Sequence, residues 1–357
     1  MKKAVLFGKE LLIIALCGLI PVSLIAYPAE VSAAVTRSVG RCMNVIIPSL
    51  FAFMAVSGIL ISYKGCEKLM LPFYPLSRYV MRLPPKLFFV FLAGNIAGYP
   101  MGIKLLSQML DKGEIDRKTA EDMSVFCYCG GPAFYTGMIG LTVFGSAGAG
   151  LLVFLSIVLS NLLVGTVICR IRRPVCISSS DSTKPFGTVM TDSINDAAVS
   201  LFRISAVIVF FSVMMSIPRA MGVTDWLARR IGMSGNNRVL ISSLFELTSV
   251  TGLAGAPYKL LPAVAAICSF GGICIVFQLF SLKSSRLSLK KFLLTRPLCA
   301  ALSALICRLL FPIFISGAEQ AAAHERTLVN VYNFPASICL ILMIFLLNLK
   351  KGLVFSE

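Results

Sequence analysis

The chain has 357 residues, 57% of them hydrophobic and only 14% charged, with a formal net charge of +17; an average soluble protein carries about 25% charged residues. Several apolar runs reach the ~20 residues needed to cross a bilayer, and the short alternating segments of a β-barrel are missing. The fold class expected is therefore an all-α polytopic membrane protein with about 8–10 hydrophobic segments. The positive charge fits basic residues gathered in cytoplasmic loops; no basic stretch is interleaved with aromatics as a nucleic-acid face requires.

The N-terminus, MKKAVLFGKELLIIALCGLIPVSLIAYPAEVSA, has a basic start, an apolar core and then small residues. This fits a signal peptide cleaved near Ala33. The apolar stretch 11–27 is long for one, which favours an uncleaved anchor; on either reading residue 34 starts outside the cytoplasm. The apolar segments that follow are 43–63, 86–103, 124–145, 148–169, 198–217, 238–256, 260–280, 293–316 and 328–348. The Ser- and Thr-rich stretch 170–195, with Arg170, Arg172, Arg173 and Lys184, reads as a cytoplasmic linker. It separates a first membrane repeat, 34–169, from a second, 196–316, and leaves 317–357 for a C-terminal helix and tail.

Segment 86–103 interrupts itself. GNIAGYPMGIK, 94–104, places Gly94, Gly98, Pro100 and Gly102 in an apolar run, and glycine and proline weaken or break helices. The loop before residue 86 is basic and 104–123 is charged, so both ends of the segment suit the cytoplasm. The expectation is a re-entrant helical hairpin, whose irregular tip must be buried in protein or line a water-filled cavity. The same count makes 238–256 re-entrant from the outside.

The halves also resemble each other. RCMNVIIPSLFAFMAVS, 41–57, lies over SLFRISAVIVFFSVMMS, 200–216, and FCYCGGPAF, 126–134, over ICSFGGICI, 267–275. Opposed halves with broken segments are the pattern of inverted-repeat carriers, whose substrate site lies where the breaks meet. Arg219, Arg229 and Arg230 in the external stretch 218–237 go against this topology, and a full crossing at 238–256 would place different loops inside.

An ionisable residue inside a membrane segment is a functional candidate by default. Glu246, in SSLFELTSVTG, stands out as an ion-coupling carboxylate or a substrate acceptor, with a structural ion pair as the bland reading. Arg308 is also mid-segment and is a candidate partner for Glu246 or for an anion; Arg203 lies nearer a segment end and reads as snorkelling. Asn95, Tyr99 and Lys104 belong to the first break, with Lys104 equally a marker of the membrane boundary. Gly130, Gly131 and Pro132 mark a break in the next segment, or close helix packing by small residues. Asn161 reads as a bridge between helices. The twelve cysteines are scattered through apolar runs without metal-ligand spacing, and His324 is the single histidine. Neither a hydrolytic triad nor a metal site can be assembled, so no enzyme, metal or cofactor is expected.

GNIAGYPMGIK, FCYCGGPAF and FELTSVTG together resemble the nucleoside-recognition, or Gate, domain membrane proteins over roughly residues 40–310, and most of all the sporulation branch of that family. The resemblance implies an inverted-repeat carrier related in architecture to concentrative nucleoside transporters. It carries Asn95, Gly98, Tyr99, Pro100, Gly102, Lys104, Gly131, Pro132, Glu246 and Thr248 over as site residues. It also implies transport of dipicolinic acid, a planar dianion, into a developing spore. Cys127, Tyr128 and Cys129 stand where the family pattern has polar Asn or Ser before Gly-Pro, a departure that bears on substrate identity.

The expected function is a multi-pass cell-membrane carrier of a small organic anion such as dipicolinate, working by alternating access, with the forespore outer membrane as one location. The substrate-binding set is the ten residues above together with Arg308. The expected partners are the small anion (or a nucleoside), the lipid bilayer and a coupling ion, H+ or Na+, with oligomerisation left open. A nucleoside transporter and a non-transporting sporulation membrane factor are the alternatives.

Overall fold

The computed structural model describes residues 18, 21, 22, 24–62, 68–176, 185–230 and 235–324. Segment 11–27 lies mostly, and 328–348 wholly, outside the described residues. Among the described residues the regular structure is helical, apart from an isolated bridge between Ile115 and Cys176. Five helical stretches are long and apolar enough to span a membrane: Pro28–Ser62, Ala147–Arg172, Phe186–Ala220, Tyr258–Leu282 and Lys290–Phe314. The chain is an all-α, multi-pass membrane protein.

Helix α1, Pro28–Ser62, begins well before the expected residue 43. Pro28 sits in its first turn and Glu30 follows, a proline and a carboxylate where a helix N-terminus accommodates both. Residues 28–41 are polar on one side, so hydropathy alone leaves them outside the span. The helix widens to π geometry at Cys42–Ile46, a local change often found at functional sites.

Helices α2, Pro85–Ile96, and α3, Met101–Asp111, flank the first break. In a continuous helix Gly94 and Gly102 would stand about 12 Å apart. Instead a Cβ placed on Gly94 would lie 3.0 Å from the Gly102 Cα and 2.7 Å from the Cys127 carbonyl oxygen. The chain has doubled back, and only glycine lets the two limbs and the Cys127 backbone come so close. The feet of the pair are joined too: Lys86 and Glu114 form a buried ion pair at 2.7 Å.

Segment 124–145 is not one helix. Helix α4, Arg117–Ser124, ends, residues 125–131 are irregular, and α5 follows with π geometry at Phe134–Val143. Helix α6, Ala147–Arg172, then returns to the linker. In the second half α7 is Phe186–Ala220, α8 Val223–Arg230 and α9 Asn236–Phe245, after which the chain turns at Glu246 into a 3-10 stretch, Leu247–Leu253. Helices α10, Leu261–Phe270, and α11, Gly272–Leu282, are separated at Gly271, and α12 runs Lys290–His324.

Contacts sort the chain into two ends. At the linker end, Lys291 pairs with Asp122 at 2.8 Å, Ser284 donates to Asp111 at 2.5 Å, and Lys112 reaches Ser62 at 3.3 Å. At the opposite end the Gly255 amide donates to the Val143 carbonyl at 2.9 Å, and Phe144 stacks on Tyr258 with ring centroids 5.9 Å apart. The core between them holds Phe88, Phe126, Tyr128, Tyr135, Phe292 and Met54, all fully buried.

Candidate functional site

The break at Glu246 follows from its sequence. Thr248, Ser249 and Thr251 crowd one turn, and such side chains offer the backbone hydrogen bonds that compete with an α-helix; the Thr251 hydroxyl donates to the Thr248 carbonyl at 2.9 Å. Glu246 is extended (φ −130°, ψ 109°). The chain then folds back, so that a Cβ on Gly252 would lie 3.2 Å from a methyl of Val239; thirteen residues along an unbroken helix would span about 20 Å.

Glu246 is buried, and its Oε1 is a meeting point. It accepts from Thr248 at 2.6 Å, from Arg41 Nη1 at 3.3 Å and from Ser212 of α7 at 3.4 Å. The same Arg41 nitrogen donates to Thr248 at 2.5 Å. Arg41 is the last α-helical residue before the π segment of α1. Three separate elements thus converge on one carboxylate oxygen.

A cavity of about 930 Å³ opens beside this pair, within the upper range of small-molecule sites. Its wall runs from Ala29 and Gly235, at the end away from the linker, to Glu246. Four arginines line it: Arg37 and Arg41 of α1, Arg219 of α7 and Arg238 of α9, against Glu30 and Glu246. Ser212, Ser216, Ser242 and Thr251 supply hydroxyls, and Arg219 donates to Ser249 at 3.1 Å. A polar, net basic hollow inside an apolar helix bundle suits a solute that is anionic and rich in acceptors.

Of the eleven residues expected at a binding site, Glu246 and Thr248 line this cavity. Asn95 sits 2% exposed away from it. Its amide nitrogen donates to the carbonyls of Phe91 at 2.8 Å and Phe126 at 3.2 Å, and its oxygen accepts from Asn161 at 2.7 Å. Asn161 also donates to the Tyr128 carbonyl at 2.9 Å. The two asparagines satisfy carbonyls freed by the break at 125–131, which a dry core demands. Asn161 is therefore the bridge its sequence context suggested.

Tyr99 is buried at the crossing of the halves, its hydroxyl bonded to Tyr135 and to the Cys268 carbonyl, each at 2.9 Å. Gly98 and Pro100 form the turn that sets Tyr99 there, Gly102 lies in the first turn of α3 against the Cys127 carbonyl, and Gly131 ends the next break, with Pro132 opening the helix after it. Lys104 is 4% exposed and pairs with Asp196 of α7 at 2.8 Å; Gln108 donates to the same carboxylate at 2.7 Å. Lys104 therefore ties α3 to α7. Arg308 is exposed on α12 and Glu246 pairs with Arg41 instead. Arg203 is exposed and reaches the Ser281 carbonyl at 3.5 Å.

Sequence reasoning passed over Arg37, Arg41, Arg238 and Arg296. Arg37 and Arg41 are four residues apart and so share a helix face, a signal hidden because the first span was started at 43. Arg296 is 1% exposed. It donates to the carbonyls of Val125, just past α4, and of Ser269, in the last turn of α10, the latter at 3.3 Å. Its guanidinium lies 4.9 Å from the ring centre of Tyr128 and 4.6 Å from that of Phe292. A cation is favourable at helix C-termini and over aromatic faces, so Arg296 holds the two broken helices together.

No protein-family model matches the chain, and no solved structure does. The sporulation integral membrane protein YlbJ of Bacillus subtilis (strain 168) is 25% identical over 228 residues, covering 58% of this chain and 56% of that protein. The chain thus spans little more than half the length of this curated relative. The similarity relates it to an integral membrane protein of sporulation.

Proposed function

We propose that the protein is a carrier for a small organic anion, with dipicolinate the substrate to test first. The observation that carries this reading is the convergence of Arg37, Arg41, Arg219 and Arg238 with Glu246 on one cavity at a doubled-back segment. Arginine's planar fork matches a carboxylate, and a flat dianion presents two. The relation to a sporulation membrane protein supports the choice of dipicolinate, as does the resemblance to Gate-type carriers.

The mechanism proposed is alternating access between two opposed repeats. Several contacts support it. Lys86 and Glu114 tie the feet of the α2–α3 pair at the linker end, whereas Glu246 and its returning stretch face the cavity at the opposite end. The halves also repeat a local device. Gly131 (φ +80°) would place a Cβ 2.5 Å from the Ile96 carbonyl, at the end of α2; Gly272 (φ +75°) would place one 3.1 Å from the Ser243 carbonyl, near the end of α9. Each half thus seats the second glycine of its Gly-Gly pair on the last turn of its hairpin's first limb. Arg170 and Arg172, in the last turn of α6 beside the linker, support a cytoplasmic position for that end, with the cavity mouth on the outer side. Lys104–Asp196 and Ser284–Asp111 close the cytoplasmic side.

Reconstituted protein tests this directly. Proteoliposomes should take up dipicolinate saturably, uridine should not compete, and Arg41→Ala should lower uptake at least tenfold. Uptake of uridine in place of dipicolinate would move the reading to a nucleoside carrier. Uptake of neither would remove the carrier reading.

A further inference from the structure

The Arg41–Glu246 contact is lopsided. Arg41 offers one nitrogen, at 3.3 Å, to one carboxylate oxygen, and that nitrogen is shared with Thr248. A guanidinium and a carboxylate in their best arrangement make two parallel bonds. The Arg41 side chain is 30% exposed to the cavity while that of Glu246 is 10% exposed. An arriving anion therefore meets the cation before it meets the carboxylate, and it can offer Arg41 the fork geometry that Glu246 does not.

Resting on the carrier reading above, we propose that Arg41 exchanges Glu246 for a carboxylate of the transported anion. Glu246, so released, takes up a proton that crosses with that anion. Once Arg41 turns to the anion, Glu246 keeps the hydroxyls of Thr248 and Ser212 but loses the cation at its Oε1. A buried carboxylate that loses its cation favours the neutral form. A hydronium ion in the cavity water gives up the proton, its O–H bond breaking as the O–H bond on the Glu246 carboxylate forms, and a neutral water is left behind. The proton leaves on the other side when the anion departs and the Arg41–Glu246 pair re-forms. On release the Glu246 O–H bond breaks as a water on that side takes the proton, so each transfer exchanges one O–H bond for another.

The surroundings single out Glu246 as the carboxylate that exchanges partners. The charged groups that share the cavity with it are Arg37, Arg41 and Glu30 from α1, Arg219 from α7 and Arg238 from α9, of which Arg41 touches it. Cys274 of α11 lies close enough to sense its charge. Arginine as a residue type keeps its charge, so the cation at Glu246 is lost by exchange of partners. Glu30 is exposed at the mouth, within the first turn of α1. Glu246 is the buried carboxylate whose cation the anion removes. Arg41 then acts as the specificity-determining residue, because a solute lacking a carboxylate cannot draw it from Glu246.

The test uses full-length protein in liposomes loaded with a pH-sensitive dye, with protein-free liposomes as the control. An imposed dipicolinate gradient should acidify the interior as the anion enters. An inside-alkaline gradient should drive its accumulation at least tenfold over the control. Glu246→Gln should let dipicolinate equilibrate without acidification or accumulation, while Glu246→Asp keeps both with a shifted pH profile. Dipicolinate entry without acidification in the unmodified protein would overturn the proton role and leave the carrier reading standing, and so would undiminished acidification in Glu246→Gln. An unmodified protein that admits no dipicolinate would instead defeat the carrier reading itself.

Discussion

Lys86 and Glu114 stand 2.7 Å apart at the two feet of the α2–α3 pair, with side chains 9% and 2% exposed. Their union fixes the direction in which this stretch enters and leaves the bundle. Losing one partner of a buried ion pair costs about 3–5 kcal/mol, whereas replacing both with neutral groups costs far less. Lys86→Met should therefore lower stability by about 3 kcal/mol, and Lys86→Met with Glu114→Gln should recover more than half of that. Thermal unfolding in detergent checks both. Equal losses in the single and double variants would mean the pair does not hold the feet.

The close approach of α2, α3 and the Cys127 carbonyl leads to a sharper test. A methyl group at Gly102 would run into that carbonyl oxygen, and one at Gly94 would press on it from the other limb. Overpacking of this kind costs about 1–3 kcal/mol or more. Gly102→Ala should destabilise the protein by at least that. Gly137→Ala, where a Cβ would meet nothing within 4 Å, should be neutral or slightly stabilising, since alanine is the better helix former.

Arg296 bonds two carbonyls at the ends of broken helices from opposite halves. Removing it leaves both without a donor in a dry core, at about 1–3 kcal/mol each. Arg296→Met should lower the unfolding temperature more than Arg308→Met, whose parent side chain is exposed. Similar small shifts for the two would show that the crossing is held together by other groups.

Much of this architecture is written in hydropathy and in glycine. The span 148–169 matches α6, Ala147–Arg172, because a long apolar run has few alternatives to a membrane helix. The break at 94–104 is legible because glycine and proline interrupt an otherwise apolar helix. Glu246 is legible because a lone carboxylate in such a run demands a reason.

What stays hidden depends on three-dimensional neighbours. Residues 28–41 look like an external loop until α7 and α9 wall off their polar side. Arg296 and Arg308 look alike in sequence, yet twelve residues turn a helix by about a third of a revolution beyond whole turns, so one faces the core and the other outward. Asn95 sits at the break as a solute-binding residue would, but beyond its own helix its partners are the Phe126 carbonyl, freed some thirty residues later, and Asn161, which no local pattern announces. In segment 124–145 Gly130, Gly131 and Pro132 announce a break, but its start at residue 125 is hidden because Cys127, Tyr128 and Cys129 are as apolar as the helix they interrupt.

The central claim, that an anion enters from the end away from the linker and lodges beside Glu246, is open to one direct measurement. Thr251 lines the cavity; Thr251→Cys can be labelled with a membrane-impermeant maleimide in intact cells and in inverted vesicles, against the parent protein as background. The account predicts labelling in intact cells, slowed by dipicolinate and not by uridine. Labelling confined to inverted vesicles, or a rate indifferent to dipicolinate, would contradict it.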